Sequence, residues 1–74
     1  MRPGMIRFKV NGDEHVMMPG TIPYEEIIVM AGYDRSRIVS VTYKSKERNG
    51  ILAPNTRVEV SEGMRFQVSD TSGA

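Results

Sequence analysis

Residues 23–32, reading Pro-Tyr-Glu-Glu-Ile-Ile-Val-Met-Ala-Gly, form the one segment that begins, repeats and ends as a helix. Pro23 suits the first helical position, where a missing N–H costs nothing and the fixed φ is already suitable. Glu25 and Glu26 fall in the first turn, where carboxylates offset the positive end of the helix dipole. Tyr24, Ile27, Ile28 and Ala31 recur at helical spacing and make one apolar face. Gly32 follows as a C′ residue that accepts positive φ. No other stretch of the 74 residues reads this way, so one short helix must cover whatever the strands build.

The remainder alternates with the period of strands. Ile6, Phe8 and Val10 alternate with Arg7 and Lys9, the pattern of a half-buried strand. Asn11-Gly12 is the sequence that a type I′ hairpin turn demands. A second strand is expected over 13–18, with Val16 and Met18 facing inward and His15 and Met17 outward; a one-residue slip would reverse this. Pro19-Gly20 ends it. After the helix, residues 38–43 are β-branched and aromatic and predict a third strand. Residues 44–50 form a charged loop, and Ile51-Leu52 adds a short strand before Pro54-Asn55. Arg57–Val60 and 64–68 alternate around Glu62-Gly63, which predicts a second hairpin.

Neither a hairpin nor this helix can bury its apolar face alone. Laying the helix across one face of a four- or five-stranded mixed sheet satisfies both. The expected fold is therefore α+β, a ubiquitin-like β-grasp. It occupies residues 6–69, between an N-terminal arm (1–5) and a small polar tail (70–74). A chain of this length makes one domain. The longest apolar run, 27–31, falls far short of the roughly 20 residues that span a bilayer. The first residues contain no apolar signal region, so a cytoplasmic, non-membrane protein is expected.

Composition excludes several kinds of chemistry. There is no cysteine, hence no disulfide and no thiolate. Ten basic residues against nine acidic ones give no excess for non-specific phosphate binding. His15 is the only histidine, and it sits on a hairpin without the convergent partners that a catalytic site needs. Glu25 and Glu26 are adjacent on a helix and diverge by about 100°, so they do not act as a carboxylate pair. Arg35, Arg37, Lys44, Lys46 and Arg48 make a local basic run that Glu47 interrupts, the pattern of a solvated loop. No metal-ligand spacing and no phosphate-cradling glycine run is present. The chain is not expected to be an enzyme, to hold a cofactor or metal, or to bind nucleic acid.

Several segments together resemble a bacterial ubiquitin-like family. They are Phe8-Lys9-Val10-Asn11-Gly12, Tyr24-Glu25-Glu26-Ile27 leading to Ala31-Gly32, and Val41-Thr42-Tyr43. Leu52-Ala53-Pro54-Asn55, Val58-Glu59-Val60 and Glu62-Gly63-Met64-Arg65-Phe66-Gln67-Val68 continue the match. By these motifs the chain is similar to the multiubiquitin family, over about residues 6–69, as a single-domain member. Pro23 departs from the threonine that often precedes Tyr-Glu-Glu there.

The resemblance implies a protein modifier rather than a catalyst. An E1-like enzyme would adenylate its C-terminal carboxylate, and an E2-like enzyme would pass it to target proteins. A JAB-type peptidase would first remove Ala74 to expose Gly73 as the reactive end. The tail lacks the Gly-Gly ending of sulfur carriers, which makes thiocarboxylate chemistry the weaker expectation. A non-covalent adaptor that binds through its sheet is the alternative from another class. In ubiquitin-like proteins the contact surface is usually the sheet face opposite the helix, and Arg7, Lys9, Arg65 and Gln67 are the candidates for it here. Lys9, Lys44 and Lys46 supply the only side-chain amines for self-linked chains.

Overall fold

The computed structural model describes residues 4–70. Seven strands and one helix follow in the order β1 (Ile6–Val10), β2 (Asp13–Met17), β3 (Gly20–Pro23), α1 (Tyr24–Met30), β4 (Val39–Lys44), β5 (Asn49–Ile51), β6 (Arg57–Val60) and β7 (Met64–Asp70). Five of them make one mixed sheet in the order β2-β1-β7-β4-β5, and β3 pairs with β6 in a separate two-stranded ribbon. The first and last strands run parallel at the centre of the sheet, with Phe8 opposite Met64 and Val10 opposite Phe66. Both flanking pairs are antiparallel hairpin-type neighbours. With α1 packed against β4 and β7, this is the α+β β-grasp that the patterning predicts.

The core lies between the inner sheet face and the helix. Phe8 and Val10, Val39 and Val41, and Met64, Phe66 and Val68 alternate inward from three adjacent strands. Ile27 and Ile28 meet them at 0% exposure. Tyr24 is buried too, and its hydroxyl donates to the Val39 carbonyl at 3.2 Å, giving the phenol the partner that burial requires. Ile22, Val58 and Val60 close the core from the β3–β6 ribbon.

The helix ends by the rule its sequence carries. Gly32, at φ +92°, donates to the Val29 carbonyl, and Tyr33 N–H reaches the Ile28 carbonyl, both at 3.0 Å. These are the two bonds of a Schellman cap. At the other end Pro23 is one position earlier than expected. It is the N-cap, with an extended ψ of 156° and no side-chain capping bond. It is held there as the last residue of β3, opposite Arg57. The Tyr24 N–H is instead satisfied by the Thr56 carbonyl at 3.0 Å. Glu25 also does more than offset the dipole, since its Oε2 accepts from the Asn55 N–H at 3.3 Å.

Other expectations differ from the structure. In β2, His15 and Met17 are the half-buried residues, whereas Val16 is 52% and Met18 72% exposed. The two-residue Asn11-Gly12 turn pairs Val10 with Asp13 and therefore Phe8 with His15, placing His15 on the core side. The second strand does end before Pro19, but Gly20 opens a further strand, β3, where none is expected. And β6 and β7 do not form a hairpin: β6 pairs with β3, while β7 pairs with β1 and β4. The Glu62-Gly63 turn carries the chain from the ribbon to the main sheet. It is locked to β1, where Gly63 N–H donates to the Arg7 carbonyl at 2.8 Å and Glu62 Oε1 accepts from the Arg7 N–H at 3.0 Å. β7 also takes in Asp70, the first residue assigned to the tail.

Candidate functional site

Alternation along β1 and β7 turns Arg7, Lys9, Arg65 and Gln67 away from the core, and the register brings them together on the outer sheet face. Lys9 is directly opposite Arg65 across the parallel pair. On the other side of β7, Arg65 is opposite Lys44 and Gln67 is opposite Thr42. Thr42 is in turn opposite Ile51. Two rows cross the sheet as a result: Lys9, Arg65 and Lys44 in one, Gln67, Thr42 and Ile51 in the next. Neighbouring strands lie about 4.8 Å apart, so the three cations stand within about 10 Å.

The charges on this face are treated unequally. Arg7 lies between Glu62 at 3.5 Å and Glu14 at 4.0 Å; with all three side chains half exposed, these pairs contribute little to stability. Among the described residues Lys9, Lys44 and Arg65 form no ion pair. Like charges facing each other across strands are destabilising. Glu14 faces Lys9 from β2, so the electrostatic cost to the isolated fold falls mainly on Arg65 and Lys44.

Beside the row a groove of about 490 Å³ is lined by Thr42, Lys44, Ile51, Arg65 and Gln67, with Tyr43 and Gly50 beneath. Ile51 is 76% exposed there. On the opposite, inner face the Tyr43 phenol lies over β5 at Gly50, where a Cβ would stand 2.9 Å from its hydroxyl, so the ring takes this place only because Gly50 has no side chain.

The remaining candidates are dispersed. The basic run separates into unrelated roles. Arg37 donates through Nε to Asp70 Oδ2 at 3.0 Å and again through Nη2, and this carboxylate raises the guanidinium pKa further above its usual value. Arg48 donates to the Glu59 carbonyl at 3.3 Å, and Lys44 belongs to the outer face. Lys46 is exposed and lines a recess with Lys44, Gly63 and Arg65. The Arg37 bonds and the pairing of Val39 with Asp70 fix the last described residue against the start of β4. Gly73 and Ala74 lie outside the described residues.

His15 is not the solvated hairpin residue its sequence position predicts. Its ring stacks on Phe8 at 5.5 Å, and its Nε2 is buried with no hydrogen-bond partner. Among the described residues no three His, Cys, Asp or Glu side chains gather as a metal site, and no helix is long and apolar enough to cross a membrane.

Sequence reasoning missed Lys44 as a member of the face, along with Thr42 and Ile51. Alternation in β4, with Val41 and Tyr43 turned inward, already assigned Thr42 and Lys44 to the outside. What no local pattern carries is that β7 lies between β4 and β1. The chain matches no family profile, no curated protein and no solved structure.

Proposed function

We propose that this chain is a ubiquitin-like protein modifier and not itself an enzyme. Its C-terminal carboxylate is activated by an E1-like enzyme and transferred by an E2-like enzyme to target proteins, after a JAB-type peptidase cleaves behind Gly73. The observation that carries this reading is the position of β7. It is the central strand of a β-grasp sheet, and its last residue is pinned by Val39 and Arg37. A modifier needs a rigid body that its enzymes can grip and a chain end that leaves it from a defined point. Arg65 and Gln67 lie on that same strand, which puts the surface to be gripped and the outgoing segment on one element.

In the activation step the Gly73 carboxylate attacks the α-phosphate of ATP, giving an acyl adenylate and releasing pyrophosphate. An enzyme cysteine then displaces AMP to form a thioester, since this chain has no cysteine of its own. Transfer to a target lysine amine releases the thiol. Glycine at the reacting position leaves the carbonyl accessible in a narrow channel.

Intact-mass spectrometry of the chain trimmed at Gly73 with a bacterial E1-like enzyme, ATP and magnesium is expected to show a covalent enzyme adduct. Deletion of Gly73 and Ala74 is expected to abolish it. The absence of an adduct from both the full-length and the trimmed chain would reject the modifier reading. The unpaired Lys9, Arg65 and Lys44 row favours the second reading in that event, a non-covalent adaptor that binds through the sheet.

A further inference from the structure

We infer that the outer sheet face is a docking site for an acidic segment of a partner protein, one that carries an apolar side chain next to its carboxylates. This goes beyond the modifier reading and does not depend on it, because nothing in the site involves the residues after Asp70.

Three observations specify the occupant. The first is the row Lys9, Arg65 and Lys44, set side by side by the pairing of β1, β7 and β4. Each lacks an ion pair among the described residues, although Arg7 on the same face has two carboxylates beside it. Carboxylates brought against the row convert three mutual repulsions into attractions. The second is the adjoining row, in which Gln67 and Thr42 offer polar groups and Ile51 is 76% exposed. Successive residues on one face of a strand are about 7 Å apart, so an apolar side chain two positions from a carboxylate in an extended segment reaches Ile51. The third is the groove of about 490 Å³ between these rows, which gives that side chain a seat.

The same details argue against a nucleic acid as occupant. Glu14 stands directly opposite Lys9 and Glu62 lies beside Arg7, so the cationic row ends in carboxylates that repel a continuing phosphate backbone. Among the described residues no aromatic side chain is exposed on the face for base stacking, on which single-strand binding relies.

The test uses the full chain and a synthetic peptide with glutamates at alternate positions and one isoleucine two residues beyond the last of them, on the same face of the extended peptide, followed by amide chemical shifts and fluorescence anisotropy. Shifts are expected to concentrate at Lys9, Thr42, Lys44, Ile51, Arg65 and Gln67. Arg65→Glu is expected to weaken binding about tenfold or more, while Arg35→Glu, on an exposed loop, leaves it unchanged. Raising ionic strength, which shortens the screening length from about 30 Å at 0.01 M to about 3 Å at 1 M, is expected to weaken it as well. Absence of binding overturns the inference, as do shifts spread over other surfaces, equal binding by the folded Arg65→Glu and Lys44→Glu variants, or tighter binding of an oligothymidylate of equal charge. The modifier reading would survive any of these, because its adduct assay reads the C-terminus.

Discussion

Phe8→Ala is expected to unfold the domain in water at room temperature. Phe8 is 1% exposed, stacked on His15 at 5.5 Å and edge-on to Phe66 at 5.9 Å. Truncating a buried phenylalanine costs about 3–5 kcal/mol. A single core in a chain below about 70–80 residues rarely supplies more than about 3–5 kcal/mol in total. The two magnitudes are equal, so no margin remains. The loss is compounded at His15, whose ring is left without the surface it stacks on. Phe8→Leu keeps most of the buried volume and is expected to retain a cooperative transition. Urea denaturation followed by circular dichroism distinguishes the two variants. A cooperative Phe8→Ala transition within about 1 kcal/mol of the parent chain would show that the core carries far more reserve than its size implies.

The second large effect is expected at Asn11. This residue turns the β1–β2 hairpin at φ +51°, and its side chain works as an additional peptide unit. Its Oδ1 accepts from the Val68 N–H at 2.8 Å, and its Nδ2 donates to the Val68 carbonyl at 3.2 Å. Its own N–H donates to the Phe66 carbonyl at 2.9 Å. The amide thus continues the parallel β1–β7 pairing beyond the point where the backbone of β1 turns away. Asn11→Ala removes two hydrogen bonds at about 1 kcal/mol each and puts into the left-handed region a residue without the short polar side chain that lets asparagine adopt it, at up to about 1–2 kcal/mol, a loss of about 2–4 kcal/mol. Asn11→Gly relieves the backbone part alone and is expected to recover up to about 1–2 kcal/mol of it. Asn11→Asp keeps the acceptor but not the donor. Denaturation midpoints, with amide hydrogen exchange at Val68, separate the contributions; equal stability of the alanine and glycine variants would remove the backbone part of the argument.

The helix, the inward residues of β1, β4 and β7, and the class of fold were legible because each depends on local periodicity. The helix matches its expected span to within one residue at Pro23, and the shift there comes from β3, a strand of four residues whose partner β6 is distant in the chain. The supposed second hairpin failed for a related reason. Arg57–Val60 and Met64–Asp70 alternate correctly, but alternation assigns faces and not neighbours: β6 finds its partner in β3, and β7 finds its partners in β1 and β4. His15 was misassigned although the information was present. A two-residue turn at Asn11-Gly12 obliges Val10 and Asp13 to pair, and counting back from it places His15 beside Phe8. At the outer face, alternation alone gathered Arg7, Lys9, Arg65 and Gln67, but could not show that Glu62 and Glu14 neutralise Arg7 or that Lys44 completes the cationic row.

The central place of β7 also governs how the protein comes into being during synthesis. The β1–β2 and β4–β5 pairs emerge first from the ribosome, and neither touches the other in the finished sheet. Only β7 joins them, through β1 on one side and β4 on the other. Until it has been made, the nascent chain holds two apolar surfaces with no common core, and contacts of long sequence separation must wait. The main sheet is therefore completed only by the last strand, and a chain cut short before residue 64 lacks the element that joins its two halves.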